Sequence, residues 1–100
     1  MTLGEILLDI HAMEEDLLMF ERKYGVLTET FYKAYQRGEE PEDETWVLDW
    51  SEWAGTYEIL LSRRERYRQA IQSLLQQTAI PNLSYLIGRT ARYEPLTVTA

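Results

Sequence analysis

Apolar and aromatic side chains recur from the start of the chain at Leu3, Ile6, Ile10, Met13, Leu17, Phe20 and Tyr24, alternating steps of three and four. That spacing keeps one stripe on one side of an α-helix and predicts a first helix from Leu3. Arg22 and Lys23 place positive charge in its last turn, and Gly25 supplies a residue that tolerates the left-handed conformation beyond it. Thr28 is the expected N-cap of a short second helix over residues 29–37. Glu29 favours its positive start, Phe31, Tyr32 and Tyr35 form its apolar side, and Gly38 ends it.

Residues 39–44 read Glu-Glu-Pro-Glu-Asp-Glu, a self-repelling run that predicts a solvated loop. Thr45 or Asp49 is the expected cap of a long third helix over residues 46–77. Its seam reads Trp46, Trp50, Trp53, Tyr57, Leu60, Arg64, Tyr67, Ile71 and Leu74, broken only by Arg64. Pro81 and Asn82 close the helical pattern, so Leu83 to Ala100 reads as an extended tail, with Gly88, Pro95 and a strand-favouring ending that can add an edge or fray.

At about 1.5 Å per residue the two long helices match well enough to zip their seams together. The expected fold is therefore all-α: an antiparallel hairpin of two long helices with a short connecting helix (residues 1–81) and an extended C-terminal tail (residues 82–100). The tryptophans should lie near Phe20, Tyr24, Phe31 and Tyr35. Surplus apolar residues fall outside the seams, at Leu8, Ala12 and Met19 on the first helix and at Leu48, Ile59 and Ala70 on the back of the third. Either the tail and second helix cover them, or they form an oligomer or partner interface.

Composition narrows the function. The 100 residues carry ten Lys or Arg against seventeen Asp or Glu, a formal charge of −7, which disfavours nucleic-acid backbone and anionic membrane and favours a basic partner. The charge is also uneven: residues 1–58 hold fifteen acids and four bases, whereas 59–100 hold two acids and six arginines. There is no cysteine, which excludes disulfides and thiolate chemistry and fits a cytoplasmic protein. No apolar run approaches the about 18 residues of a membrane span, and Glu5 and Asp9 interrupt the N-terminal one, so neither a span nor a signal peptide is expected.

Candidate chemistry is sparse. Arg63, Arg64, Arg66 and Arg68 surround Tyr67, and Arg89 and Arg92 recur near Tyr93, a mixture that a single-stranded RNA adaptor would use. The same arginines can pair with Glu14, Glu15 and Asp16, with Arg64 setting register. His11, three and four residues before Glu14 and Glu15, lacks the Glu-x-x-His order of di-metal bundles, and the acidic loop lacks the calcium-loop spacing. Ser51, Ser62, Ser73 and Ser84 stand in no nucleophile context, and there is no phosphate-binding glycine loop. Neither an enzyme nor a cofactor is expected. The tail sequence around Leu83, Tyr85, Leu86 and Ile87 is apolar enough to lie along a partner, and Glu39, Glu40, Glu42, Asp43 and Glu44 offer an acidic contact.

Phe20-Glu21-Arg22-Lys23-Tyr24-Gly25, Thr28-Glu29-Thr30-Phe31-Tyr32, Gly38-Glu39-Glu40 and Trp53-Ala54-Gly55-Thr56-Tyr57-Glu58 resemble the small helical antitoxin-like proteins of bacterial toxin–antitoxin gene pairs. The resemblance covers residues 15–75 and rests on aromatic packing, a helix stop and a cap; the chain departs from it beyond Pro81. It implies a non-enzymatic protein that binds and silences a cognate basic toxin, often ribonuclease-like. The expected mechanism has the acidic loop and apolar tail occupying the toxin's substrate groove. A coiled-coil subunit that self-assembles through the surplus stripes is the alternative, and an RNA adaptor a further one.

Overall fold

Thr2 starts the first helix with a reciprocal cap. Its Oγ1 accepts from the Glu5 amide at 3.2 Å, and its own amide donates to Glu5 Oε1 at 3.1 Å. In the computed structural model, which describes residues 1–98, α1 runs Leu3–Tyr24. It stops where expected: Gly25 takes φ 78° and its amide donates to the Glu21 carbonyl at 2.8 Å. Helix α2 spans Thr28–Gln36, a 3₁₀ turn spans Glu44–Trp46, α3 spans Val47–Leu75 and α4 spans Leu83–Thr90. Gly38, at φ 86°, closes α2 with the Glu39 amide bonded back to the Ala34 carbonyl. Among the described residues there is no β-strand, only an isolated antiparallel bridge between Thr2 and Thr97.

Two caps differ from expectation. Leu27, not Thr28, occupies the N-cap of α2 and makes no side-chain cap bond. Thr28 is already helical and buried, and its hydroxyl is used elsewhere. Neither Thr45 nor Asp49 starts α3. Asp43 does so through the preceding 3₁₀ turn, accepting from the Thr45 amide at 2.8 Å.

The long helices α1 and α3 pack antiparallel, and each contributes to both of two compact units, a central one (His11–Leu61) and a terminal one (Met1–Ile10 with the chain from Ser62 onward). The boundary expected after residue 81 falls inside the terminal unit.

The central unit is an aromatic core. Phe20 of α1 stacks on Trp53 of α3 at 5.7 Å, and Tyr24 meets Trp46 edge-on at 5.7 Å, so residue numbers rise on one helix as they fall on the other. Helix α2 adds Phe31, parallel to Trp53 at 3.9 Å. The expected α3 seam is divided here. Trp50 and Tyr57 turn to α2, meeting Phe31 at 5.2 Å and Tyr32 at 5.0 Å, while Asp49 reaches the α1 side chains Lys23 and Tyr24. One helix with two neighbours needs two adjacent apolar faces, and a single heptad seam describes only one.

The terminal unit buries Leu3, Ile6 and Ile10 of α1 with Ala70 and Leu74 of α3. Ala70, one of the surplus apolar residues on the back of α3, is thus in the core, and Ile71 is half-buried. Ile80, Leu86, Leu96 and Val98 complete that core. The C-terminal chain is therefore not wholly extended: Leu83–Thr90 is helical, capped by Asn82, whose side chain accepts from the Tyr85 amide at 2.8 Å. The stretch that follows clasps the N-terminus. Leu3 donates to the Leu96 carbonyl at 2.9 Å and Val98 to the Met1 carbonyl at 3.0 Å. This bridge partly realises the edge pairing read from the ending; Thr99 and Ala100 lie outside the described residues.

Candidate interaction surfaces

Like charges and Pro41 keep the loop between α2 and the 3₁₀ turn in solvent, where Glu39, Glu40, Glu42, Asp43 and Glu44 are all exposed. Asp43 is not free for a partner in the same way as the glutamates. It accepts from both the amide and the hydroxyl of Thr45 at 2.8 Å, and these bonds, the amide first, hold its carboxyl below the usual aspartate range. Four exposed glutamates remain: Glu39, Glu40 and Glu42 on a loop whose two ends are pinned by the Gly38 closure and the Asp43 cap, and Glu44 at the start of the 3₁₀ turn.

The apolar residues expected to contact a partner from the tail are divided by α4. Leu86 is 2% exposed and belongs to the terminal core, whereas Leu83, Tyr85 and Ile87 are exposed on the same short helix. The loop belongs to the central unit and α4 to the terminal unit. Beyond α4, Glu94 accepts from Arg89 at 2.9 Å and lies 3.6 Å from Arg92, and the Arg89 bond leads in lowering its pKa. Two of the six arginines of this half are thereby occupied.

Three arginines of α3, Arg63, Arg64 and Arg68, are also engaged. Arg63 Nε lies 3.5 Å from Asp9, within ion-pair range but without hydrogen-bond geometry, and Arg68 pairs with Glu65 at 3.1 Å. Arg64, half-buried, has an interaction partner of its own. Glu14, on which an arginine pairing was expected, also has one. Among the described residues no three His, Asp or Glu side chains converge as a metal site, and no helix is long and apolar enough to cross a membrane.

At the turn end of the central unit, Asp49 gathers two donors: Lys23 Nζ and the Tyr24 hydroxyl, each at 2.6 Å. The Lys23 bond, then the Tyr24 bond, holds the Asp49 carboxyl below the aspartate range. In return Asp49 raises the Lys23 pKa, while burial first and Asp49 second raise that of Tyr24.

Apart from Ala70, the surplus apolar residues stay open. Leu48 is 81% exposed, Met19 62% and Ile59 51%, and Leu8 and Ala12 are exposed too. Neither α2 nor the C-terminal segment covers them. Their exposure in a single chain fits the oligomer or partner interface that the sequence left open beside cover by the tail and second helix. No protein-family model, curated protein or solved structure matches the chain.

Proposed function

We propose that the chain is a non-enzymatic protein-binding module of the antitoxin kind, which neutralises a small basic toxin by covering its anion-binding substrate groove. The observation that carries the reading is the charge of the central unit: thirteen acids against four bases, a net −9 on a rigid aromatic scaffold. A field of that sign draws a basic protein into encounter and repels nucleic acid, the substrate class a ribonuclease-like toxin would hold. The likeness of residues 15–75 to antitoxin-like helical proteins points the same way.

The exposed stripes favour one second reading, a structural subunit that assembles with copies of itself. Co-purification from the native cell, identification of the bound protein and titration of the purified pair tests the proposal. The expected result is a basic partner whose activity is lost in the complex and whose association slows as salt rises. A stable homo-oligomer without any partner would favour the structural subunit, and tight salt-sensitive RNA binding would favour an RNA adaptor.

A further inference from the structure

The open side of the central unit carries more than scattered apolar residues. Taking about 100° per residue, Leu48, Gly55 and Ile59 fall within one narrow sector of α3, on the side opposite Trp50 and Tyr57, which meet α2. On α1 the same reckoning puts Ala12 and Met19 on the side opposite Glu21, whose carboxylate accepts from the Thr28 amide of α2 at 2.8 Å. The two sectors therefore lie on one face of the hairpin, the face α2 leaves bare. A Cβ built on Gly55 would meet nothing within 4 Å, so its backbone is open to close approach from outside.

Acidic residues lie on the seam side of this face as well as on its flank. By the same angular count Asp16 falls between Met19 and the α1–α3 seam, Glu52 falls between the Leu48–Ile59 sector and that seam, and Glu15 lies on the outer flank of α1; all three are exposed. Lys23, the nearby cation, is paired with Asp49. A second copy docking symmetrically here would set one net −9 unit against another. A partner with basic residues beside an apolar stripe meets no such repulsion.

We infer that this face, with Met19, Leu48 and Ile59 as apolar anchors and Gly55 as the point of closest approach, is the docking site for a basic amphipathic helix of a partner protein. The helix would lie across this face, its apolar side chains on the anchors and its Lys or Arg side chains against Glu15, Asp16 and Glu52. The inference rests on the protein-binding reading and moves the principal contact from the loop and α4 to the bare face.

The test uses the full chain and a synthetic leucine–lysine amphipathic helix of about five turns, with its leucine–glutamate counterpart as control. Amide chemical-shift changes should centre on Ala12, Met19, Leu48, Gly55 and Ile59, and only the lysine peptide should bind. The combined variant Met19→Ser, Leu48→Ser, Ile59→Ser keeps every charge and alters only exposed side chains. Its circular dichroism should match the parent while its peptide affinity falls about tenfold or more. Shifts centred on residues 39–44 or on α4, equal affinity of the triple variant, or dimerisation through this face would overturn the inference. Titration of the native partner separates the two failures. Undiminished binding to the triple variant refutes the docking face alone, whereas no basic protein binding even the parent refutes the protein-binding reading itself.

Discussion

Thr28→Val isolates one buried hydrogen bond at the centre of the aromatic core. Trp53 is 1% exposed, and its indole Nε1 donates to Thr28 Oγ1 at 2.9 Å. Valine keeps the shape of threonine, so the substitution removes the acceptor and leaves the indole N–H buried without one. The lost bond and the stranded donor together should cost about 2 kcal/mol, near a 10 °C fall in Tm for a chain of this size. Trp53→Phe should cost about 2–4 kcal/mol, because it opens a cavity beside Phe20 and Phe31 and leaves the Thr28 hydroxyl unpaired. Combining the two should cost about 1–2 kcal/mol less than the sum, since the second change strands no partner that the first has not already removed. Trp50→Phe is the control: its Nε1 is buried with no hydrogen-bond partner among the described residues, so deleting it relieves a desolvation cost that offsets part of the lost packing. All three tryptophans lie in the central unit, so urea unfolding followed by indole fluorescence reports on that unit directly. A Thr28→Val variant within about 0.3 kcal/mol of the parent, with additive effects in the double variant, would show that the bond contributes nothing and that aromatic stacking alone holds the core.

Leu86→Ala should destabilise the terminal unit by about 2–5 kcal/mol, and deletion from residue 82 onward should reduce helix signal beyond the loss of α4 itself, read by hydrogen exchange at Ile6, Ile10 and Leu74. Unchanged protection at those amides would mean that α4 and the clasp merely rest on a core complete without them. The central unit should lose stability with acid, because the folded-state pKa of Asp49 is depressed by Lys23 and Tyr24. That contribution is full above about pH 4, the unfolded aspartate value, and disappears as pH falls through the lower folded value. Lys23 and Tyr24 have raised values, so their contribution is full below about pH 10 and is lost as pH rises through the folded values. Thermal melts of Asp49→Asn across pH should flatten the acid limb and weaken the alkaline one, where burial of Tyr24 still acts; an acid limb identical to the parent would assign the acid dependence to Asp43, another depressed carboxyl of the central unit, instead.

Helices α1 and α2 and their glycine stops were legible because the information is local: apolar spacing, a charged last turn, and a residue able to hold positive φ at Gly25 and Gly38. The extent of α3 was legible for the same reason, as was the antiparallel pairing of two long seams. What each face of α3 meets was not. Trp50, Tyr57 and Ala70 carry the same periodic signal as any seam residue, and only the docking of α2 on one side and the closure of the terminal core on another distribute them. The Thr2–Glu5 capping box was written in the chain as Thr-x-x-Glu, but Thr28 looked like a cap, and its actual task, bonding an indole 25 residues away, has no local signature. The C-terminal segment shows the same limit. Asn82 and the apolar spacing of α4 are readable, yet eight residues between Pro81 and an irregular end are too short to form a stable helix unaided. Burial of Leu86, Leu96 and Val98 supplies the missing free energy, and it exists only once Met1–Ile10 and the end of α3 are in place. Exposure is decided at that level too. Leu48, Ile59 and Ala70 share a stripe in the sequence, but tertiary packing buries the third and leaves the first two facing outward.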